Sequence, residues 1–177
     1  MASILNVDQI NNAAGTSGIA FDASTGKASF PNGATLPAGS VLQVVRAGWS
    51  SAATTSSTSL VNTGRSATIT PTSVNSKVLI LLTFGYYASN GLSDYLISTF
   101  FRNGTDIGQG GYPSMMLNRL GYTDSNYTQT VTGSLYDSPA TTSTVVYDWY
   151  VRTSNGSSIT YGDARMANSI TLMEIAG

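Results

Sequence analysis

Residues 94–105 read Asp-Tyr-Leu-Ile-Ser-Thr-Phe-Phe-Arg-Asn-Gly-Thr. In Asp94–Arg102, large apolar side chains occupy both alternating sets of positions, which predicts a β-strand buried on both faces. Asn103-Gly104 follows directly, and this dipeptide is a strong signal for the two-residue turn of a β-hairpin. The segment therefore predicts a buried strand that returns as an antiparallel partner.

Further strands are predicted on both sides of this segment. Residues 41–47 are rich in β-branched side chains, and residues 77–87 form a long apolar run suited to the centre of a sheet. Residues 143–153 alternate, which places the side chains of Val145, Tyr147, Trp149 and Val151 on one side. The other predicted strands cover residues 59–62, 66–70, 129–136, 158–161 and 169–175.

Turn signals separate these strands at regular intervals. Thr63-Gly64 is predicted to divide strand 59–62 from strand 66–70, and Asn155-Gly156 to turn strand 143–153 into strand 158–161. From residue 41 onward the strands recur about every 8–12 residues, without helical periodicity of useful length. The sequence therefore predicts an all-β chain, with an antiparallel β-sandwich or jelly roll of about eight strands as a head over residues 41–177.

Residues 1–40 differ from the rest in composition. They are rich in Gly, Ala and Ser and contain too few large apolar side chains to form a core of their own. We therefore expect an extended N-terminal arm with short β segments, ordered by lying on another surface. Its apolar residues Ile4, Leu5, Val7 and Ile10 are the predicted attachment contacts.

Composition excludes several classes of site. The 177-residue chain contains no Cys and no His, which excludes disulfides, His- or Cys-based zinc sites and Ser-His-Asp or Cys-His nucleophiles. The net charge is -1 and the eight basic residues are scattered, so we expect no nucleic-acid partner. We also expect no signal peptide, membrane insertion or cofactor. Charged residues make up only 10% of a chain rich in Ser and Thr, as in many extracellular β proteins.

The carboxylates leave two chemical alternatives open. Two suitably spaced carboxylates suffice for glycoside hydrolysis, and carboxylates with loop carbonyls can hold calcium. Each candidate sits at a predicted turn or strand edge, where Asp commonly accepts local hydrogen bonds. We therefore expect a protein without enzymatic activity and without a metal. The candidates considered are Asp94, Asp106, Asp124, Asp137, Asp148 and Asp163.

Aromatic and amide side chains are concentrated in residues 110–129. Tyr112, Tyr122 and Tyr127 lie there with Asn118 and Asn126. Tyrosine rings can stack on the C–H faces of sugars, while amides bond the sugar hydroxyls. The same tyrosines also suit half-buried packing or a subunit interface on a β surface. These five residues are the predicted glycan or receptor contacts.

The opening Ser-Ile-Leu-Asn-Val-Asp-Gln-Ile-Asn-Asn-Ala-Ala-Gly-Thr-Ser, residues 3–17, resembles the leader of small virion proteins from tailed bacteriophages, especially marine and cyanobacterial ones. The resemblance extends through short motifs at residues 41–45, 107–110, 137–140 and 170–175. It implies an attachment arm followed by a trimeric jelly-roll head in a tail-fibre or other structural component. It implies no binding residue, because what the head binds differs among these phages.

These observations lead to one functional expectation and two alternatives. We expect a non-enzymatic tail-fibre or fibre-tip protein that forms a homotrimer, binds other virion proteins through its arm and presents the head to a host glycan. Such a protein would assemble in the host cytoplasm and be exposed on the virion. The alternatives are a capsid decoration protein and, from another class, a glycan-cleaving fibre enzyme.

Overall fold

A computed structural model describes residues 9–11, 15, 17–30, 36–88, 94–108, 116–120, 127–163 and 165–177. The chain divides into two units, Met1–Pro37 and Ala38–Gly177. Strands, turns and irregular segments account for all of the described residues, and none of these residues is helical. The prediction of an all-β chain is confirmed.

The first unit contains a small antiparallel sheet in the order β1-β2-β3. Its strands are β1 (Gln9–Asn11), β2 (Ser17–Phe21) and β3 (Ala28–Ser29). Asp22 closes the turn between β2 and β3, since its Oδ1 accepts hydrogen bonds from the backbone N–H groups of Ser24 (3.0 Å) and Thr25 (2.7 Å). Side-chain hydrogen bonds from these two residues, with the backbone bonds, lower the pKa of Asp22 to about 2.

The predicted attachment contacts fall mostly on residues that the structure does not describe. Ile4, Leu5 and Val7 lie outside the described residues. Ile10 belongs to β1, and 46% of its surface is exposed. The role of this unit as an attachment arm stays a prediction.

The second unit consists of two antiparallel sheets. Its strands are β4 (Val41–Gly48), β5 (Ala53–Thr55), β6 (Val61–Ile69), β7 (Lys77–Ala88), β8 (Asp94–Arg102), β9 (Thr105–Asp106), β10 (Met116–Leu120), β11 (Tyr127–Asp137), β12 (Val145–Thr153), β13 (Ile159–Tyr161) and β14 (Ser169–Ile175). Sheet I is built around β7, which pairs with β11 along one edge and with β14 and β13, end to end, along the other. Beyond these, β4 pairs with β14 and β5 with β13. Sheet II has the order β10-β8-β12-β6, with β9 paired to β8.

The hydrophobic core lies between the two sheets. Trp149 of sheet II is fully buried, and its ring lies 4.7 Å from that of Phe84 and 5.2 Å from that of Tyr161, both of sheet I. Alternation along each strand sends the apolar set inward, as expected for packed sheets. The predicted antiparallel β-sandwich is therefore confirmed. The other large and fully buried side chains of this core are those of Ile69, Ile80, Leu82, Tyr86, Leu96, Phe100, Tyr147, Ile159, Ile170 and Leu172.

Strand β8 is buried on both faces at its centre, as its sequence predicts. Leu96 and Phe100 face the core and are 0% exposed, while Ile97 on the opposite face is only 2% exposed. Asn103 and Gly104 adopt φ angles of 47° and 85°, which are the left-handed conformations required by a two-residue hairpin turn. The predicted hairpin into β9 is confirmed.

Two turn predictions are wrong. Thr63-Gly64 does not separate two strands, because β6 continues through it with a bulge opposite Trp149, and Gly64 supplies the positive φ of 71°. Asn155-Gly156 does not form a hairpin, because β12 belongs to sheet II and β13 to sheet I. The segment carries the chain from one sheet to the other.

A buried carboxylate explains how this crossing is stabilised. Asp94 is 0% exposed and accepts hydrogen bonds from the backbone N–H groups of Tyr95 (2.6 Å), Ser154 (2.9 Å), Asn155 (2.9 Å) and Ser157 (2.9 Å). The Ser154 hydroxyl donates another, at 2.6 Å. Burial acts to raise the pKa of Asp94, but these hydrogen bonds outweigh it and hold the pKa below its ordinary value. Asp94 thus fixes the β12–β13 crossing to the start of β8.

Removing this carboxylate should destabilise the sandwich. We expect Asp94→Ala to lower the free energy of unfolding by about 3 kcal/mol or more, because several buried N–H groups lose their acceptor. Urea unfolding followed by tryptophan fluorescence measures the change. Asp148→Ala is the matched control, since this half-exposed carboxylate lies on an outer face, and its effect should stay within about 0.5 kcal/mol. Equal effects of the two substitutions would contradict the role of Asp94.

The same carboxylate should make stability depend on acid. The pKa of Asp94 is lower in the folded chain than its ordinary value of about 3.9, so its contribution is complete above that pH and declines as the pH falls below it. Between about pH 4 and pH 2, the wild type should lose unfolding free energy more steeply than Asp94→Asn, whose side chain does not titrate. If the unfolding free energies of the wild type and Asp94→Asn fell equally with pH, Asp94 would not be ionised in this environment.

Candidate functional site

The structure describes little of the predicted glycan site. Tyr112, Tyr122 and Asn126 lie outside the described residues. Asn118 is in β10 at an edge of sheet II, and Tyr127 is in β11 at an edge of sheet I. The backbones of these two residues are described and their side chains are not. Glycan contact through this set of residues stays a prediction.

One of the remaining candidate carboxylates connects the two sheets. Asp137 of β11 accepts hydrogen bonds from Arg102 of β8 (2.9 Å) and from the hydroxyl of Tyr147 of β12 (2.7 Å). Tyr147 is 0% exposed. The pKa of its hydroxyl lies above the ordinary value, mainly because the group is buried and also because it donates a hydrogen bond to Asp137. This contact holds the end of β8 against sheet I, so Asp137 has a structural role.

Two further carboxylates are also engaged in local structure. Glu174 of β14 is 0% exposed and accepts hydrogen bonds from Gln43 Nε2 (2.6 Å), from Thr72 N (2.7 Å) and from Thr72 Oγ1 (2.8 Å). Asp163 forms an ion pair with Arg165 at 2.5 Å, in the segment between β13 and β14. Among the residues that the structure describes, no group of three or more acidic side chains is placed to hold a metal ion. Asp124, another of the candidates, lies outside these residues.

The outer face of sheet I carries an apolar row that crosses four strands. Val44 of β4 pairs with Met173 of β14, Met173 with Leu79 of β7, and Leu79 with Tyr136 of β11. All four side chains point away from the core, because their neighbours Val45, Leu172, Ile80 and Leu135 point into it. Val44 is 56% exposed and Tyr136 is 51% exposed. We refer to Val44, Met173, Leu79 and Tyr136 as the apolar row.

Arg46 and Lys77 border the apolar row on this face, which becomes hydroxyl-bearing further along the strands. Val41, which is 50% exposed, pairs with Ile175 beside the apolar row and extends it. Towards the other end of β7, the hydroxyls of Thr83 in β7 and Thr132 in β11 form a hydrogen bond of 3.2 Å. The apolar surface is therefore confined to the end of sheet I where β4 and β14 meet β7.

The outer face of sheet II carries a pair of stacked rings. Phe101 of β8 and Tyr150 of β12 have centroids 3.9 Å apart and planes inclined by 25°. Asp148 lies directly opposite Phe101, and Asn62 of β6 lies opposite Tyr150. Both rings are half-buried. We refer to Phe101 and Tyr150 as the ring pair.

Sequence analysis missed the ring pair although part of its signal was present. The alternation that points Tyr147 and Trp149 inward necessarily points Asp148, Tyr150 and Arg152 outward. What the sequence lacks is the register of β12 against β8, which brings Phe101 from a segment nearly fifty residues away. That register depends on long-range packing.

An open pocket of about 470 Å³ lies where β4 ends beside the segment that precedes β14. Arg46 and Trp49 line one side, and Met166 and Asn168 line the other. The Asn168 amide is fully used in holding the backbone, since it donates to Asp163 O and Met166 O and accepts from Gly85 N. The pocket therefore offers Arg46 as its main polar group.

Comparisons with known proteins assign no family. No protein-family model matches the chain, and no curated protein matches its sequence. In the part of the chain that the structure describes, no helix has the length and apolar character to cross a membrane. The fold, the apolar row and the ring pair are therefore the features of this chain that bear on its function.

Proposed function

We propose that this chain is a structural virion protein of the tail-fibre type, which self-associates through its head and attaches through its N-terminal unit. The observation that carries this proposal is the apolar row on the outer face of sheet I. A contiguous apolar surface on an otherwise polar β-sandwich is characteristic of an interaction site. The resemblance of residues 3–17 to phage leaders supports placing that interaction within a virion.

The dimensions of sheet I fit association with a second copy. Four strand positions at about 4.8 Å span about 19 Å, and the eleven paired residues of β7 and β11 span about 36 Å. The face thus offers about 700 Å², close to the roughly 800 Å² that each partner contributes to a standard stable interface. Burying the apolar row would contribute about 25 cal/mol for each Å² of apolar area.

The chemistry of the apolar row also favours another copy of this chain. Its four residues carry no charge, so the rows of three copies can meet around a three-fold axis without burying like charges. A homotrimer is the proposed state, because it presents three heads around one attachment point. The protein would be assembled in the host cytoplasm and exposed on the particle.

The strand order supports the finer proposal that the head is a jelly roll. We count β4 with β5 as one stretch and β13 with β14 as another, and we omit β9 as a hairpin extension of β8. The eight described stretches are then numbered 1 to 8 along the chain. Their spatial order is 1-8-3-6 in sheet I and 2-7-4-5 in sheet II. Consecutive stretches alternate between the sheets except at 4 and 5, as in a hairpin rolled into two Greek keys.

A charge in the apolar row should dissociate the oligomer. We expect Val44→Asp to convert the proposed trimer to a monomer at micromolar concentration, because a charged carboxylate would have to lose its hydration within an apolar interface. Size-exclusion chromatography with light scattering measures the mass. The melting temperature of the separated head should change little, since Val44 is already 56% exposed in the single chain.

Thr68→Asp is the matched control for this experiment. Thr68 is an exposed residue on edge strand β6 of sheet II, and it pairs with Val146 of β12. Its substitution adds the same charge to the other sheet and should leave the mass unchanged. A wild-type protein that is monomeric at micromolar concentration, or a trimer that survives Val44→Asp, would refute assembly through this face.

Position on the particle tests the virion assignment separately. We expect gold-labelled antibodies against residues 38–177 to mark the tail tip of purified particles in electron micrographs. Labelling spread over the capsid surface would instead support the decoration-protein alternative. Particles that carry no label, from a lysate in which the chain is detected, would contradict a structural role in the virion.

A further inference from the structure

We propose that the ring pair on the outer face of sheet II is a binding site for neutral glycans. This inference deepens the proposed function by naming the ligand class of the head, and its biological role rests on that function. The observation behind it is a rigid aromatic surface with hydrogen-bonding side chains on both sides. Phe101 and Tyr150 are built on two neighbouring central strands, so the sheet fixes the site.

Phe101 occupies one ring face of Tyr150, and among the described residues no ring is stacked on the other face. Phe101 of β8 covers one side of the Tyr150 ring at 3.9 Å. Because β12 lies between β8 and β6, the other side of that ring is turned towards β6. The C–H face of a pyranose packs well on such a ring surface.

Strand β6 leaves room beside this ring face. Asn62, directly opposite Tyr150, and Ser66, opposite Asp148, are exposed and small. Between them lies the bulge, where Gly64 has no side chain and adopts a φ of 71°. The side-chain oxygen Oδ1 of Asn62 accepts a hydrogen bond from the Gly64 N–H at 2.7 Å, which leaves the side-chain NH2 of Asn62 to donate. The bulge thus supplies both space and a hydrogen-bond donor.

Asp148 and Arg152 supply hydrogen-bonding groups along β12. They lie two residues before and two residues after Tyr150 on the same face, about 7 Å away along the strand in each direction. A carboxylate accepts hydrogen bonds from sugar hydroxyls, and a guanidinium donates hydrogen bonds to them. Both side chains are half-buried, and neither forms a hydrogen bond or an ion pair in the part of the chain that the structure describes.

The charges around the ring pair favour a neutral sugar over an acidic one. Asp148 lies opposite Phe101 on β12, and Asp106 of β9 lies opposite Phe101 on the other side. Asp106 Oδ1 is occupied by Thr99 Oγ1 and Gly108 N, both at 2.9 Å, but its charge remains. Among the side chains that the structure describes on this face, these two carboxylates accompany one positive group, Arg152. An anionic sugar would therefore meet net repulsion.

A shallow site of this kind binds one sugar weakly, and several copies in one assembly would increase the apparent affinity. The test is therefore made on the assembled protein. Fluorescently labelled wild type is applied to an array of immobilised neutral and acidic oligosaccharides. We expect binding to neutral hexose-containing glycans. Tyr150→Ala should reduce the signal by at least about tenfold through loss of the stacking surface.

Two further variants separate binding from folding and assembly. Tyr150→Leu retains apolar packing against Phe101 and should lose binding like Tyr150→Ala. Phe30→Ala removes an exposed ring, 52% exposed, from the first unit and should bind like the wild type. Light scattering and thermal melting establish that each variant keeps the wild-type mass and cooperative unfolding. A failure of the glycan site is thereby distinguishable from a failure of the assembly proposal.

Three results would overturn the inference. The first is a wild-type protein that binds no neutral glycan above the level of Tyr150→Ala. The second is preferential binding to acidic glycans, which contradicts the charge argument around Asp148 and Asp106. The third is undiminished binding by Tyr150→Leu, since that variant has no aromatic face.

Discussion

The burial of Trp149 between the two sheets is the contact on which the rest of the structure depends. Its ring touches those of Phe84 and Tyr161 in sheet I and lies 5.6 Å from that of Trp49 at the end of β4. With Trp149 directed inward, strict alternation along β12 directs Tyr150 outward. The inward packing of Trp149 therefore determines both the core of the sandwich and the outward orientation of Tyr150 in the ring pair.

The two outer faces of the sandwich have different chemistry, and this difference organises the functional proposal. Sheet I exposes an uncharged apolar row, whereas sheet II exposes rings with Asp, Asn and Arg side chains around them. Buried polar contacts keep the sheets in a fixed relation, since Asp94 holds the β12–β13 crossing and Asp137 binds residues of two strands in sheet II. Such fully bonded carboxylates specify a unique arrangement of the strands. Assembly and recognition can then occupy opposite sides of one head.

Local sequence patterns located most strands of the sandwich but missed β5 and β10, and they did not identify the strand partners. Alternation and β-branched runs located β4, β7, β8, β11, β12 and β14, and the Asn103-Gly104 turn was recognised because two positive φ angles require such residues. Asn155-Gly156 has the same local signature but crosses between sheets, since its geometry depends on Asp94, sixty residues earlier. The apolar row and the ring pair each combine residues from separate strands, so neither can be recognised from the sequence without knowledge of the strand register.

Hydroxyl-radical footprinting of the assembled protein tests whether another copy covers the apolar row of sheet I while the ring pair of sheet II stays accessible. Radicals oxidise accessible Met, Tyr and Phe side chains, and mass spectrometry locates the products. Met173 and Tyr136 should be protected in the assembly and become reactive when Val44→Asp dissociates it, whereas Phe101 and Tyr150 should react equally in both states. Protection of Phe101 and Tyr150 in the assembly, with Met173 and Tyr136 reactive, would show that the protein does not assemble through sheet I.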